Sequence, residues 1–437
     1  MIDYNNYDIF NHNQILRVFK VDSQSPSILR MLWRALKRLC AYATRRNSEG
    51  KCLNDSSRAD VFFVANTSND VRASKPVWCA LSSHTYLALE NELDFYSFYC
   101  VYYLSFRYLN TFFRSYVRAS KADKLMMRTY FYDFFTTMGF LNLTDNIVER
   151  VKPKLIVMSN DHSPIQRAFQ TVAKDKNIPD LYFQHCSVTE HFPPLQFTYS
   201  FLDGEESLEK YLSIGETKGT IYVSGNPRFD CISTYLCNRV ESNKIGLAIN
   251  SADDEEHVKE LCLKLRENGI ENILLRPHPR QILQEKDWYS AHHIEISDSK
   301  IEHPFEFLGR IKMLIASESG IHLDAVMMGV YSVCYSLTGD KAVDWYSYIK
   351  NGLIPIAETV DELMVLLKPE NVTSEEKLRE KAQWYNAAYG RRSNGHVGEM
   401  IADFIHYMLS DNIQAFDEKY DFVVKSQNEN FTIKVYA

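Results

Sequence analysis

Residues 154–185 read KLIVMSNDHSPIQRAFQTVAKDKNIPDLYFQH, and this stretch decides the fold. Lys154 to Ser159 (Lys-Leu-Ile-Val-Met-Ser) is a short, mostly apolar run, closed by the polar turn Asn160-Asp161-His162-Ser163. A run of that length bounded by turn formers predicts a strand buried on both faces. Over 163–176 apolar residues recur at helical spacing (Ile165, Ala168, Phe169, Val172), and 179–185 returns to a strand pattern. Strand, helix and strand in so short a span form a βαβ unit, whose strands run parallel and whose crossover is right-handed.

The alternation continues outward. Strands are predicted at 60–66, 196–202 and 220–224. A second set comprises strands at 245–250, 272–276, 312–316 and 331–335, with helices at 254–268 and 320–328. The aromatic-rich stretch 87–148 has helical period, its Tyr and Phe reading as core more than as a ligand platform. Helices are expected at 358–367, 374–389 and 395–408, and a small hairpin at 421–425 with 431–436. The Gly225-Asn226-Pro227 break and the polar 238–244 segment separate the two sets. The expected organisation is therefore 1–239, an α/β domain with a helical insertion at about 87–148, then 240–410, a second α/β domain, then 411–437, a tail.

Composition bounds the function. The 437 residues carry a net charge of −7, which argues against a nucleic-acid polymer as partner, and 45% hydrophobic residues exclude wholesale disorder. The aromatic run 95–106 is free of charge but falls short of the roughly 20 residues a spanning helix needs. Residues 1–20 lack a basic segment followed by an apolar one, so no secretory signal is expected and the cytoplasm is. The basic amphipathic stretch 29–46 carries Arg30, Arg34, Lys37, Arg38, Arg45 and Arg46, readable as a solvated helix face or as attachment to an anionic membrane. Nine cysteines without CxxC spacing are expected to be buried reduced thiols, and no metal-ligand spacing is present.

Parallel sheets bind ligands beyond the carboxyl ends of their strands, so the turns there are the candidate sites. Asp161 and His162 follow the first strand of the quoted stretch. Gln184-His185 closes the second, where a histidine is well placed as a general base. Asn226 and Arg228 follow the strand at 220–224. Arg276-Pro277-His278-Pro279-Arg280 follows 272–276; two prolines force an extended turn, and two arginines around a histidine suit phosphate. Ser317-Glu318-Ser319-Gly320 follows 312–316 and opens a helix, where small residues leave backbone N–H groups for an anion. No P-loop and no GxGxxG fingerprint occurs.

Taken in order, these turns resemble the two-domain GT-B transferases of bacterial surface polymers, in particular the CDP-glycerol glycerophosphotransferases and capsular polysaccharide transferases. The resemblance covers roughly 150–340 and rests on Gln184-His185, Gly225-Asn226-Pro227-Arg228, Arg276-Pro277-His278-Pro279 and the segment from Ser317 to Ala325. It implies two doubly wound Rossmann-like domains facing a cleft, acceptor on the first and nucleotide donor on the second. His185 would be the base. Arg276, His278, Arg280, Ser317, Ser319, Gly320, Asn226 and Arg228 would hold the donor phosphates; Asp161, His162 and Gln184 would line the acceptor side. Cys186 after the base histidine and the stretch Ala316-Ser317-Glu318-Ser319 depart from the family pattern, and the second departure leaves CMP, CDP and UDP open as the donor nucleotide. The expected reaction moves a glycosyl or polyol-phosphate group onto a hydroxyl of a capsule, teichoic-acid-like or lipopolysaccharide acceptor. The nucleotide-activated donor is a substrate, and no cofactor or metal is required. The partners are that donor and a saccharide or lipid-linked acceptor, with peripheral contact to the inner face of the cytoplasmic membrane. A nucleotide-sugar 2-epimerase of the same architecture and a non-catalytic capsule-assembly protein are the competing readings.

Overall fold

The computed structural model describes residues 2–18, 21, 27–45, 58–82, 84–90, 95–237, 239, 242–279 and 281–437. In chain order the first strands are β1 (Val61–Ala65), β2 (Tyr86–Glu90), β3 (Leu155–Met158), β4 (Asp180–Phe183), β5 (Gln196–Leu202) and β6 (Lys218–Val223). A second group follows: β7 (Ile245–Ala248), β8 (Ile273–Arg276), β9 (Glu295–Ile296), β10 (Met313–Ala316), β11 (Tyr331–Tyr335) and β12 (Ile356–Ala357). The chain ends in the pair β13 (Phe422–Gln427) and β14 (Phe431–Tyr436).

Two compact units result, Met1–Arg228 with Arg392–Ala437, and Phe229–Arg391. The first sheet has the order β13-β14-β6-β5-β4-β3-β1-β2, parallel except for the terminal β13–β14 pair. The second has the order β12-β11-β10-β7-β8-β9, parallel throughout. Read from β9, that is the 3-2-1-4-5-6 order of a Rossmann sheet, while the first unit's 2-1-3-4-5 core has the flavodoxin-like order. β1, β3, β4, β7, β8 and β10 are buried along their whole length, as helices on both faces of a parallel sheet require.

Several expectations change. The division falls at Arg228 rather than near 240, and the chain returns to the first unit at Arg392. The hairpin expected in a separate tail instead extends the first sheet, β14 lying parallel to β6 with Lys434 opposite Tyr222. Phe404, Phe416 and Phe422 pack around Tyr222 and hold it there. Residues 86–90, expected to open the helical region, form β2, because edge pairing with β1 outweighs local period. Of the described cysteines only Cys262 and Cys334 are buried; Cys40, Cys79, Cys231 and Cys237 are exposed.

The helical insertion comprises helices Phe95–Phe106, Leu109–Arg118, Lys121–Thr129 and Phe131–Val151. Its core is aromatic, with Phe131 stacked on Phe135 at 5.2 Å and Phe112 edge-on to both. Gly139 lets the long helix approach Phe95–Phe106: a Cβ there would sit 2.2 Å from the Val101 carbonyl oxygen and 2.3 Å from Ser105 Oγ. In an open helix, alanine in place of glycine gains about 1 kcal/mol. Here the backbone clash reverses the sign. Gly139→Ala should lower the denaturation midpoint, costing about 1–3 kcal/mol; an unchanged or raised midpoint would show that the two helices are not in close contact.

Candidate functional site

The carboxyl edge of the first sheet gathers the polar turns. Strand order reverses between β1 and β3, and the loops after these two strands part there. After β1, Thr67 and Asp70 form a capping box on the helix Ser68–Ala80. Asp70 is buried and accepts from Gln166 Nε2 at 3.1 Å and, more loosely, from Ser159 Oγ at 3.4 Å. After β3, the Asn160 side chain accepts from the backbone N–H groups of His162 and Ser163 at 3.0 and 2.9 Å, closing the turn.

That turn places two histidines with their ring centroids 5.7 Å apart. His185, in the loop after β4, has Nδ1 at 2.5 Å from the Ser159 carbonyl and 4.0 Å from Asp70 Oδ1. The carbonyl can only accept, so Nδ1 carries the proton and Nε2 presents a lone pair. His162 Nδ1 lies 2.9 Å from Asp161 Oδ1, and Tyr211 donates to Asp161 Oδ2 at 2.6 Å. Tyr182 extends the chain, its hydroxyl 3.0 Å from that of Tyr211. A neutral His162 ring likewise presents Nε2 as its acceptor. The side chain of His162 is 21% exposed and that of His185 8%. Burial holds the His185 ring below the usual histidine range, opposed by the Asp70 charge and reinforced by His162. Cys186 Sγ lies 3.3 Å from His185 Nε2, but burial drives its thiol pKa up, away from the thiolate a nucleophile needs.

Gln184 and Asn226 do a different job from the one expected. Both are buried. Asn226 Nδ2 donates to the Gln184 carbonyl at 2.8 Å and to Asp203 Oδ1 at 2.9 Å; Gln184 Oε1 accepts from the Asp203 N–H at 2.7 Å and its Nε2 donates to Ser207 at 3.0 Å. These bonds tie together the ends of β4, β5 and β6. Burial raises the Asp203 pKa to about 7, with Arg228 pulling against it. Arg228, half-buried, belongs to this cluster through that charge.

In the second unit the order reverses between β7 and β10. Asn250 Nδ2 donates to the Glu318 carbonyl at 3.3 Å across that gap. Ser317 Oγ accepts from the Leu337 N–H at 2.9 Å, so this serine is spent on the loop after β11. His322, buried, bridges Ser332 Oγ (2.7 Å) and the Ser317 carbonyl (3.0 Å). Ser319 and Gly320 are half-buried beside them. A Cβ on Gly320 would meet nothing within 4 Å, so the packing itself does not demand glycine there. Arg276 is not a phosphate cradle: it is buried, donating to Ser297 Oγ at 2.8 Å and the Glu302 carbonyl at 2.9 Å, with its guanidinium 5.3 Å from the Phe307 ring. His278 is exposed in the loop after β8. Arg280 lies outside the described residues. The sequence reading gave no role to Asp70, Asp203, Tyr211 and His322; Asp70 had a local signal in the Thr67-x-x-Asp70 cap after β1, and His322 lies within the Ser317–Ala325 segment already singled out. Among the described residues no cluster with metal-binding geometry occurs.

Two outcomes follow. Arg276 also pairs with the largely buried Glu302 carboxylate at 3.6 Å; Arg276→Ala breaks that pair and should cost about 3 kcal/mol of stability, read by chemical denaturation, and a fully stable variant would return Arg276 to a ligand-binding role. His322 is held neutral by burial, its pKa lowered to about 4. A lowered folded pKa means the unfolded chain takes the proton first, so this contribution is present above about pH 6.5 and is lost as pH falls toward 4. Relative to wild type, His322→Gln should flatten the fall in stability from pH 7 to 4.5, and identical slopes would refute the assignment.

No protein-family model matches the chain, and no curated protein sequence matches it. Among solved structures, a UDP-N-acetylglucosamine 2-epimerase aligns over 86% of this chain and 100% of its own with 12% identity and a TM-score of 0.51. The Neisseria meningitidis UDP-GlcNAc 2-epimerase bound to UDP-GlcNAc covers 79% and 99% with 13% identity and a TM-score of 0.52. The wall teichoic acid polymerase TagF covers 93% and 100% with 13% identity, at a TM-score of 0.47 too low to favour it over the epimerases. What this chain shares with the epimerases, at such identities, is the fold: two Rossmann-like units of the GT-B type.

Proposed function

We propose that the protein is a transferase that moves a glycosyl or polyol-phosphate group from a nucleotide-activated donor to a hydroxyl of a surface-polysaccharide acceptor. The observation that carries this reading is the histidine pair at the switch point of the first sheet. Each ring has Nδ1 committed, His185 to the Ser159 carbonyl and His162 to Asp161, so in each neutral ring Nε2 is the basic nitrogen, that of His185 lying 3.3 Å from the Cys186 thiol. A general base must be neutral and held in one tautomer. His185 takes the acceptor hydroxyl proton as the oxygen displaces the nucleotide phosphate; the Asp161–His162 pair orients the acceptor and stands as the second candidate base. Ser319, Gly320 and His278 receive the donor phosphates in the second unit, and Arg276 supports their loop from inside the fold. CMP, CDP and UDP donors are all compatible. The epimerases that share the fold make acceptor-free turnover of UDP-N-acetylglucosamine the outcome that would replace this reading.

The test combines a nucleotide panel with two variants. A nucleotide that binds raises the unfolding temperature by mass action, and product must require both donor and hydroxyl acceptor. His185→Gln should lower kcat by about 10²- to 10⁴-fold with donor affinity kept. Because its pKa is depressed, the acid-side loss of activity should be centred below the ordinary histidine value of about 6.5. Gly320→Ala separates fold from function. It should leave stability unchanged or raised by up to about 1 kcal/mol, while a methyl against the donor phosphate lowers affinity at least about tenfold. Full activity in both variants would sink the proposal.

A further inference from the structure

The helix Ile28–Arg45 divides into three faces. Ile28, Met31 and Ala35 are buried in the aromatic core of the helical insertion, with Leu32 packed against it. On the outer side Leu29, Trp33 and Leu36 follow at spacings of four and three, which puts them in one row. They are 76%, 56% and 46% exposed. Arg30, Arg34 and Lys37 repeat the same spacing one residue on and form a parallel cationic row, also exposed. Lys37 Nζ lies 3.7 Å from the centre of the Trp33 ring. The helix contains no acidic residue in a chain of net charge −7.

A second helix repeats the device. Leu109–Arg118 buries Phe112 in the same core, and leaves Phe113 and Val117 exposed beside Arg114 and Arg118. It too has no acidic residue. Single exposed apolar side chains are ordinary, but an aligned row flanked by cations is not. A purely solvated face would not place Leu, Trp and Leu in line. A second copy docked on the row would bring arginine against arginine, which disfavours self-association. Nucleic acid would meet the cations but leave the apolar row in water.

We infer that these helices, Ile28–Arg45 foremost, form a docking surface for an anionic lipid bilayer. The apolar row enters the headgroup boundary and the cationic row pairs with lipid phosphates. Among the described residues no helix is long and apolar enough to cross a membrane, so the attachment is peripheral. The inference stands apart from the reaction proposed above, since no residue of either helix belongs to that site.

Co-sedimentation of the full chain with vesicles tests it. The protein should pellet with phosphatidylcholine vesicles containing phosphatidylglycerol and stay in solution with phosphatidylcholine alone, and binding should weaken as salt rises. The triple variant Arg30→Gln, Arg34→Gln, Lys37→Gln should lose about a hundredfold in partitioning, and the charge-reversed Glu triple variant should lose more. Trp33→Ser with Leu36→Ser should lose about tenfold. Circular dichroism and nucleotide-induced thermal shifts, unchanged in all of these, exclude unfolding. Equal binding to neutral vesicles, no binding to anionic ones, or a concentration-dependent dimer abolished by Trp33→Ser would overturn the inference. So would RNA binding that survives Trp33→Ser in a protein that ignores vesicles.

Discussion

A parallel sheet can be crossed only by connections that leave over one face or the other, and where the strand order reverses two neighbouring loops must part. That constraint governs both units. In the first it opens the sheet between β1 and β3, in the second between β7 and β10. Every side chain with a claim to chemistry sits in a loop at or next to one of these gaps. The strands themselves have no room for it: β3, β4, β7 and β10 are buried throughout. Polar groups collect at the carboxyl edge because there the backbone ladder ends and its last carbonyls and amides need partners.

That need has a second consequence, visible in what the polar residues do. Asn226 satisfies the Gln184 carbonyl and the Asp203 carboxyl; Ser317 satisfies Leu337; Arg276 satisfies Ser297 and Glu302. Each is a residue type that also suits a ligand, and each is used inside. A buried polar group without a partner costs about 1–3 kcal/mol, so internal ties come first and only the remainder can face a substrate. His162, His278, Ser319 and Gly320 keep part of their surface accessible. His185 lies between the classes, anchored through Nδ1 yet with Nε2 turned to Cys186.

The helix Ile28–Arg45 follows the same accounting with opposite sign. Its core face is complete, with Ile28, Met31 and Ala35 buried, and a second apolar row is left over. An apolar surplus next to cations calls for a medium that is apolar and anionic at once. The second helix of the insertion carries the same arrangement, with Phe113 and Val117 exposed beside Arg114 and Arg118.

By itself the sequence determined the class of fold and the places where chemistry must lie. Short apolar runs alternating with amphipathic helices admit few arrangements other than parallel sheets, and the turns after strands are readable from Asn160-Asp161-His162, Gln184-His185 and Ser317 to Gly320. Local pattern carries that much because period and turn chemistry are local. Tertiary structure alone decided the rest. That Asp70 sits under His185 depends on β1 lying beside β3, more than eighty residues apart in the chain. That the last strand completes the first sheet depends on aromatic packing around Tyr222. And whether an arginine or asparagine is a ligand contact or an internal tie depends on which group stands within about 3 Å of it, a distance that spacing along the chain does not contain.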